Sequence, residues 1–476
     1  MKLNSEQQEA VSHTTGPLLI LAGAGSGKTR VLTERIANLI TSHKVLPYHI
    51  LAVTFTNKAS KEMKERIASR VGENVAKSLW VGTFHSICIR ILRSEIELLG
   101  RKANFVVYDT TDQTKLISDI LGKLNIDDKN FPANEVLRAI SSAKSKALTA
   151  EKYSEFATSY KEQRIADIYL AYDLELKKNN ALDFDDILLL VVRILEESPE
   201  TLEYYQNKFK YILVDEYQDT NQVQYQLIKL LSDKYRNICA VGDVDQSIYA
   251  FRNADYRIIL NFQNDYNDAK IIKLETNYRS TKNIVNLSNE IIKNNQQSFP
   301  KNLRTDNPFG DKTKIYEAYD DHSEASFIGN EIIRLVYSGN FDYDNFAILF
   351  RTNSQSRVFE KVLISNNIPY QVIGGFRFFE RKEIKDLISY LKAIYNPDDN
   401  ISLQRIINIP KRGIGDTTIK KLLDIADNYN ISLWDVLNFQ TFENISPATQ
   451  SKIREFVVLL AELIDQSSTI SVSALL

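Results

Sequence analysis

Cysteine is scarce in this chain, whose 476 residues include only Cys88 and Cys239. Such a pair gives no disulfide framework and favours a reducing compartment, the cytoplasm. A secretory signal is also missing, because the start of the chain, MKLNSEQQEA, is polar. No run of about 18 uninterrupted apolar residues occurs, which argues against a membrane span. The sequence therefore predicts a cytoplasmic protein that does not contact a membrane.

A strong charge of either sign is absent as well. Lys and Arg total 59, Asp and Glu total 61, and the formal net charge is −2. The overall charge offers no attraction to a polyanion, so any nucleic-acid binding requires a local groove. Apolar residues make up 43% and charged residues 25%, which is typical of globular proteins. A chain of this length is expected to form two or more domains.

What the chain does contain is a series of short apolar runs, each followed by polar residues. Such runs are typical of strands buried on both faces of a parallel sheet, and helical patterns lie between several of them. The alternation predicts a doubly wound α/β domain, whose ligands bind beyond the carboxyl ends of the strands. We therefore expect one site to collect all the polar clusters. The runs with their polar ends are PLLILA–GAGSGKT, ILAVTF–TNKAS, LWVGTF–HS, YILV–DEYQD, NICAV–GDVDQ and IIKLE–TNYRS.

This series is interrupted and then resumes in a weaker form. Residues 109–180 read as helices without clear strands, which predicts an inserted helical domain. After about Ser280 a second α/β pattern begins, with KIYEAY, FAILFRTN and YQVIGG as strand candidates. From Glu380 to the last residue the pattern is mainly helical.

The stretch AGAGSGKT has the form A-x-x-x-x-G-K-T of a P-loop, with alanine in place of the common first glycine. Its glycines let backbone N–H groups approach phosphate oxygens at the start of a helix. Lys28 would reach the β- and γ-phosphates, and Thr29 would hold Mg²⁺. A glycine-rich turn without a ligand is the alternative interpretation. The expected nucleotide contacts in this stretch are Ala24, Gly25, Ser26, Gly27, Lys28, Thr29 and Arg30.

The run YILV is followed by two acidic residues, Asp215 and Glu216. Asp215, at a strand end, suits the metal, and Glu216 suits a base that positions an attacking water. An adjacent acidic pair is by itself more often a solvated strand end. Combined with the P-loop, the pair predicts hydrolysis of a nucleoside triphosphate.

Eight motifs follow one another along the chain: LNSEQQEAV, TFTNKA, GTFHS, LDFDD, VDEYQDT, GDVDQSIY, LETNYRS and LFRTNSQSR. In this order they resemble the motifs of the UvrD/PcrA/Rep group of superfamily 1 DNA helicases, over essentially the whole chain. The resemblance implies ATP-driven 3′→5′ movement on single-stranded DNA by two RecA-like domains, in DNA repair or plasmid replication. It also implies single-strand/duplex junctions as substrates, and repair or replication-initiator proteins as partners.

The resemblance implies roles for individual residues around ATP. Gln7 would read the adenine edge, and Tyr278 would stack on the adenine. Gln246 would contact the γ-phosphate and report its presence, and Arg279 would act as an arginine finger. Without the motif order, a surface salt bridge would be the better interpretation of Arg279.

Beyond Gln246 the same motif continues to two aromatic residues, Tyr249 and Phe251. In an extended segment their rings would share one face and stack on DNA bases, at about 1–3 kcal/mol per base. Members of the group usually have tryptophan at position 251, glycine at 253 and often a basic residue at 250. Because this chain has Phe251, Asn253 and Ala250, we expect a smaller stacking face and an altered turn. Core packing of Phe251 is the alternative.

Further DNA contacts are implied after other strands. His85 alone would more often be a structural hydrogen-bonding residue, and the acidic residues of LDFDD, at 183, 185 and 186, also fit a helix start. PKRGIG resembles a glycine hairpin that relatives use against duplex phosphates, with an ordinary turn as the alternative. The expected DNA contacts are Phe55, Asn57, Thr83, His85, Tyr249, Phe251, Arg252, Arg351, Asn353 and Arg357.

The resemblance also implies a domain plan. Residues 1–108 and 181–278 would form one RecA-like P-loop NTPase domain, and 109–180 its helical insertion. Residues 279–379 would form an incomplete second RecA-like domain, followed by an incomplete helical domain at 380–476. Motifs resembling HAAKGLEF and VGLTRA do not occur, so an N-terminal portion is expected.

Other functions are kept open at this stage. The missing VGLTRA motif would carry a second arginine for the γ-phosphate. The alternative for such a portion is therefore an ATP-gated single-stranded DNA binder with little or no turnover. A P-loop NTPase unrelated to nucleic acid, and a nuclease–helicase, are further alternatives.

Overall fold

The structure, a computed structural model, describes residues 2–295, 301–373 and 378–475. The chain divides into two compact units, Met1–Asp311 with Tyr390–Leu476, and Lys312–Ser389. Within the described residues, no helix combines the length and the apolar character that crossing a membrane requires.

The strands are β1 (Leu18–Ala22), β2 (Ile50–Thr54), β3 (Trp80–Thr83), β4 (Val106–Val107), β5 (Ala181–Leu182), β6 (Tyr211–Val214), β7 (Ile238–Gly242) and β8 (Lys270–Leu274). Six of them form one sheet in the order β3–β2–β6–β7–β1–β8, and each neighbouring pair is parallel. The short strands β4 and β5 pair with each other. The predicted parallel α/β domain is therefore confirmed, and all six polar clusters follow strands of this one sheet.

Strand β1 shows why the apolar runs are uninterrupted. Successive side chains of a strand point to opposite faces of the sheet. Leu19 and Leu21 enter the core on one face, whereas Leu18 and Ile20 enter the core on the other. Both faces are buried, so every position of the strand is apolar. Each such side chain contributes about 1.5–3 kcal/mol of burial free energy.

Helices pack against both faces of the sheet. Helices α1–α3 share a core with one face, and helices α5, α10 and α12 share a core with the other. The bounds are α1 (Ser5–Ser12), α2 (Lys28–Thr41), α3 (Asn57–Val71), α4 (Glu73–Lys77), α5 (Phe84–Glu95), α6 (Thr110–Lys123), α7 (Ala133–Ser145), α8 (Ala150–Phe156), α9 (Tyr160–Lys178), α10 (Phe184–Glu197), α11 (Pro199–Lys208), α12 (Gln222–Ser232), α13 (Arg257–Leu260), α14 (Phe262–Asp265) and α15 (Lys282–Ile292).

The segment between β4 and β5 consists of helices α6–α9, as its sequence pattern predicts. These helices have their own core, which includes Ile117, Ile168 and Tyr172. Pairing of β4 with β5 brings the two ends of the insertion together. The insertion therefore leaves and rejoins the sheet domain at one place.

Lys144 joins the inserted helices to α10. Its ammonium lies 2.7 Å from Asp183 Oδ2 and 2.6 Å from Asp186 Oδ1, and all three side chains are at most 2% exposed. Asp183 caps α10 and forms a capping box with Asp186. Burial and the charge of Asp183 raise the pKa of Asp186, whereas Lys144 lowers it. The geometry agrees with an acidic helix start at LDFDD and adds a buried ion cluster to it.

The second unit contains α16 (Asp321–Tyr337) and α17 (Ser356–Ser365), which pack through Ile332 and Leu363. No strand occurs among its described residues, so the strand predictions for KIYEAY and FAILFRTN are wrong. Residues 370–373 of YQVIGG form no strand either, and positions 374 and 375 lie outside the described residues. Ile315 and Leu349 are 97% and 95% exposed. An apolar run becomes a strand only where a neighbouring strand offers backbone partners.

The chain ends in helices α18 (Lys382–Tyr395), α19 (Asn400–Ile406), α20 (Asp416–Tyr429), α21 (Leu433–Leu437), α22 (Pro447–Ser467) and α23 (Val472–Leu475). The predicted helical character after Glu380 is confirmed. From Tyr390 onward this segment belongs to the first unit. The Tyr108 hydroxyl donates to Asp399 Oδ1 at 2.7 Å, and Asn396 Nδ2 donates to the carbonyl of Asn179 at 2.9 Å.

Replacing Lys144 with methionine should lower the free energy of unfolding by about 3–5 kcal/mol, because two buried carboxylates lose their cation. The loss should be smaller at pH 5 than at pH 8. A carboxyl whose pKa is raised in the folded state remains protonated, and therefore uncharged, at the lower pH. Urea unfolding at both pH values measures the difference.

The matched control is Lys115→Met, which removes an exposed ion pair with Asp119 at 2.6 Å. It should cost less than about 1 kcal/mol at either pH. Equal losses in the two variants would show that burial of the Lys144 cluster does not matter energetically.

Candidate nucleotide site and nucleic-acid interface

The turn between β1 and α2 has the backbone of a phosphate-binding loop. Gly25 and Gly27 have φ angles of +65° and +87°, which side chains rarely adopt. No side chain caps α2 at Gly27, so the first-turn N–H groups at the positive end of the helix dipole are left for an anion to accept from. The residues predicted to contact the nucleotide, from Ala24 to Arg30, lie along this turn.

Three side chains from different strand ends meet at the first residue of α2. Lys28 Nζ lies 2.7 Å from Glu216 Oε2 and 3.5 Å from Gln246 Oε1. Glu216 follows β6 and Gln246 follows β7, so the parallel sheet brings them together. Glu216 adopts a left-handed φ of +50°, which is uncommon for a residue with a side chain. The predicted catalytic residues Lys28, Glu216 and Gln246 therefore form one cluster.

Asp215 and Thr29, the residues predicted to hold Mg²⁺, are the chain neighbours of Glu216 and Lys28 in this cluster. Burial, followed by the charge of Glu216, raises the pKa of Asp215 to about 7, while Lys28 and the N–H of Glu216 lower it. A raised pKa means that the ionised carboxylate has too little positive charge around it, and a divalent cation would supply that charge. Mg²⁺ prefers one or two carboxylates together with phosphate and water oxygens. One carboxylate and one hydroxyl fit that preference.

Asn277 is a buried residue of the site that the sequence analysis did not single out. Its Nδ2 donates to the carbonyl of Ala24 at 2.7 Å, and its Oδ1 accepts from the N–H of Arg279 at 2.9 Å. The N–H of Tyr278 donates to the carbonyl of Gly25 at 3.0 Å. The end of β8 is thereby fastened to the P-loop. Its place inside LETNYRS, before the two predicted residues, was the available signal.

The other predicted ATP contacts border the same loop. Tyr278 and Arg279 are exposed, and a Cβ on Gly25 would lie 2.8 Å from Arg279 Cβ. The side chain of Gln7 is 1% exposed, and its Nε2 donates to the carbonyl of Ser26 at 2.9 Å. Gln7 is also part of the capping box of α1. The structure thus places all three beside the P-loop.

Lys301 is a second residue that the sequence analysis missed. Its ammonium contacts Asp243, and it lies 2.8 Å from Asp245 Oδ2. Burial and the neighbouring charge of Lys28 lower the pKa of Lys301 to about 8. Only the fold could reveal it, because none of the eight motifs includes this lysine.

Three aromatic rings form a continuous row above the strand ends, here called the aromatic row: Phe55, Tyr249 and Phe251. The ring centroids of Phe55 and Tyr249 are 4.6 Å apart, and those of Tyr249 and Phe251 are 5.9 Å apart. The guanidinium of Arg252 lies 5.6 Å from the Tyr249 centroid. The rings of Tyr249 and Phe251 are adjacent, as predicted, but the prediction that they lie in an extended segment is wrong. Residues 250–252 form a 3₁₀ turn rather than an extended segment.

The departures from the group's usual residues have a structural context. Phe251 is 63% exposed, so core packing of this side chain is excluded. Asn253 ends the 3₁₀ turn with a left-handed φ of +62°. Asparagine adopts this conformation more readily than other residues with side chains. The turn that a glycine would permit is therefore retained with Asn253.

The remaining predicted DNA contacts of the first unit lie at helix starts. Thr83 caps α5 by accepting from the N–H of Ser86, and Asn57 is the exposed first residue of α3. Burial lowers the pKa of His85, while a backbone hydrogen bond at Phe184 raises it. The ring of Phe184, which is 52% exposed, meets the ring of His85 edge-on at 6.0 Å. Phe184 was not among the predicted contacts, although LDFDD contains it.

Arg351, Asn353 and Arg357 belong to the second unit. All three side chains are exposed, and they lie at the start of α17 or just before it. The N–H of Arg351 donates to Gln355 Oε1 at 3.0 Å, which closes the turn before the helix. The three predicted contacts are therefore close in the chain and on the surface of their unit.

The PKRGIG hairpin uses its own donors internally. Asn408 Oδ1 accepts from the N–H groups of Arg412, Gly413 and Ile414. The guanidinium of Arg412 donates to the Tyr390 hydroxyl at 2.7 Å and to several backbone carbonyls. The backbone N–H groups of residues 412–414 therefore already have an acceptor within the chain. They are not the groups that would bind duplex phosphates.

With this geometry, the chain matches two helicase family models. Residues 3–267 match the UvrD/REP helicase N-terminal domain, and residues 272–471 match the UvrD-like helicase C-terminal domain. The chain belongs to the UvrD/REP helicase family.

Among curated proteins, it is similar to the ATP-dependent DNA helicase PcrA of two staphylococci. It is 50% identical to the Staphylococcus epidermidis protein over 471 residues and 49% identical to the Staphylococcus aureus protein over 470 residues. In both cases the match covers 99% of this chain and 64% of the relative. The chain thus spans less than two-thirds of the relatives' length. Because residues 272–471 match the C-terminal family model, the chain is not confined to the N-terminal domain of the family.

The geometry at Asn253 predicts a specific stability pattern. Asn253→Val should lower the free energy of unfolding by about 1–2 kcal/mol, because a β-branched residue is strained at positive φ. Asn253→Gly should stay within about 0.5 kcal/mol of the unsubstituted chain, because glycine adopts this φ freely. Thermal unfolding of the three proteins measures both. Equal effects of valine and glycine would contradict a left-handed turn here.

Proposed function

We propose that the chain couples binding and hydrolysis of ATP to a grip on single-stranded DNA, as part of a 3′→5′ DNA helicase. The observation that carries this proposal is the path of residues 243–252. Gln246 ends the 3₁₀ turn 244–246 and lies in the cluster with Lys28 and Glu216. The rings of Tyr249 and Phe251 are in the aromatic row, at the next 3₁₀ turn, 250–252. Gln246 and the two rings are thus only a few residues apart, so a movement of Gln246 at the nucleotide would also move the rings.

The phosphate side follows from charge. Lys28 is paired with Glu216, and a triphosphate bound over the P-loop competes for the same ammonium. When phosphate takes Lys28, Glu216 is released to accept a proton from, or to orient, the attacking water. Gln246 then contacts the γ-phosphate. The positive charge of Arg279 stabilises the negative charge of the transferred phosphoryl group in the transition state.

The metal ligands of this proposal are Thr29 and Asp215. Mg²⁺ held by these two residues would neutralise negative charge on the phosphates of ATP. The raised pKa of Asp215 supports this assignment, because cation binding favours its ionised form.

The DNA side requires contacts that tolerate any base. The aromatic row offers flat faces, and Arg252 beside it offers a charge for a phosphate. Stacking contributes about 1–3 kcal/mol per base without sequence preference. Asn57, Thr83 and His85 would contact the DNA strand at the same edge of the sheet. Arg351, Asn353 and Arg357 would be DNA contacts of the second unit by itself. The chain's net charge of −2 makes such local contacts necessary.

The relatives' name, ATP-dependent DNA helicase, supports the unwinding of DNA. From the motif resemblance we infer the 3′→5′ direction, single-strand/duplex junctions as the substrate, and repair or replication-initiator proteins as partners.

A second candidate function is an ATP-gated binder of single-stranded DNA with little turnover. It is favoured by one observation, the absence from the sequence of a VGLTRA-like motif with its arginine. Arginine fingers contribute about 10³–10⁵-fold to turnover in related phosphoryl-transfer sites. Binding of both ligands without DNA-stimulated hydrolysis would support this second candidate.

Single-stranded DNA should stimulate steady-state ATP hydrolysis by the 476-residue chain. Lys28→Ala should abolish the stimulated rate, because the phosphates lose their main cation. Glu216→Gln should lower kcat more than it raises KM, because it affects the attacking water rather than ATP binding. Phosphate release with and without an oligonucleotide measures these rates. The control Lys229→Ala changes a lysine that is 55% exposed on α12 and should retain the full rate.

Phe251→Ala should weaken binding of an oligothymidylate by about 1–3 kcal/mol, because a stacking face is lost. Phe251→Trp should strengthen it, because indole has the larger face. Fluorescence anisotropy measures both affinities. Phe156→Ala is the matched control, since Phe156 is 68% exposed on the inserted helices. Unchanged affinity in Phe251→Ala would argue against base stacking at the row.

A further inference from the structure

Gln218 makes hydrogen bonds in three directions from one buried side chain. Its Nε2 donates to Glu216 Oε2 at 2.9 Å and to Asp219 Oδ2 at 3.2 Å. Its Oε1 accepts from the backbone N–H of Asp243 at 2.9 Å. The side chain is 1% exposed. Because carboxylates accept and a backbone N–H only donates, one orientation of the amide satisfies all three partners.

The turn that carries Gln218 holds both ends of the loop 243–255, which contains the two rings that follow β7. At the start of the loop, the N–H of Asp243 donates to Gln218. At its end, the N–H of Asp255 donates to the carbonyl of Thr220 at 2.9 Å. A displacement of the loop is therefore transmitted to the residues directly after Glu216.

Close packing leaves little slack in this connection. A Cβ on Gly242 would lie 2.6 Å from Gln218 Oε1 and 3.2 Å from the Gln218 backbone nitrogen. Asp219 Oδ2 accepts from the same amide of Gln218 at 3.2 Å. The loop is thus linked to Gln218 at its start and to Thr220 at its end.

We propose that Gln218 is a positioning residue that couples the orientation of the Glu216 carboxylate to the position of the loop 243–255. The inference rests on the proposed function, in which Glu216 acts at the nucleotide and the loop grips DNA. Glu216 Oε2 accepts from both Lys28 and Gln218. When DNA moves the loop, Gln218 must turn or lose a bond, and Glu216 turns with it. By linkage, nucleotide and DNA change each other's affinity by the same factor.

The test measures this factor rather than turnover, so it applies to both candidate functions. The dissociation constant of a labelled oligothymidylate is measured by anisotropy, with and without a non-hydrolysable ATP analogue and Mg²⁺. The two constants should differ by at least about fivefold in the unsubstituted chain. In Gln218→Glu the ratio should fall below about twofold, because a carboxylate repels Glu216 and Asp219 instead of donating to them.

Two further variants separate coupling from charge and from stability. Gln218→Met removes all three hydrogen bonds without adding charge, and it should also lose the coupling. Gln224→Glu is the matched control, since Gln224 is 5% exposed and forms the capping box of α12 with Asn221. Glutamate is equally suited to that position, so this variant should keep the full ratio. Thermal unfolding confirms that each variant is folded.

Full coupling in both Gln218 variants, or an equal loss in Gln224→Glu, would overturn the inference. An unsubstituted chain that binds both ligands without coupling would overturn it too, while nucleotide and DNA binding would stand. An unsubstituted chain that binds neither ligand would contradict the proposed function itself, and the inference with it.

Discussion

The parallel alignment of six strands is the constraint on which both candidate surfaces depend. Parallel strands end at the same edge, so groups that are far apart in the chain become neighbours there. Lys28, Glu216 and Gln246 meet because β1, β6 and β7 are adjacent and run in one direction. Helices packed against both faces of the sheet hold the strands in this arrangement.

Charge at this edge is unevenly compensated. The pKa of Asp215 is raised to about 7, and the pKa of Lys301 is lowered to about 8. In both cases burial is the main cause. Perturbed ionisable groups of opposite sign within one cleft are a feature of functional sites, because a ligand can supply what the protein lacks. A triphosphate with a divalent cation brings charges of both signs, which suits this set of side chains.

Sequence patterns predicted the first unit better than the second. The runs of β1 and β6 are apolar at each position because both faces are covered. An uninterrupted apolar run was therefore a sufficient signal for these strands. In the second unit the runs at Ile315 and Leu349 look similar but leave their side chains exposed. Strand formation depends on backbone partners from elsewhere in the chain, and a run of residues does not specify those. The sequence analysis also missed the 3₁₀ turn at 250–252. This turn ends at Asn253 in a left-handed conformation, which the sequence pattern did not indicate.

The sequence by itself determined the motif residues and the strand–loop–helix context of the P-loop, and it predicted the chemical class of each ligand. Those features are local, because glycine φ preferences, apolar runs and acidic strand ends act over a few residues. Only the tertiary structure decided which side chains touch. Asn277 on the P-loop, Lys301 between two aspartates, and Gln218 between Glu216 and Asp243 all join distant segments. Hydrogen bonds between such segments depend on the register of the sheet, and that register exists only once the whole domain has folded.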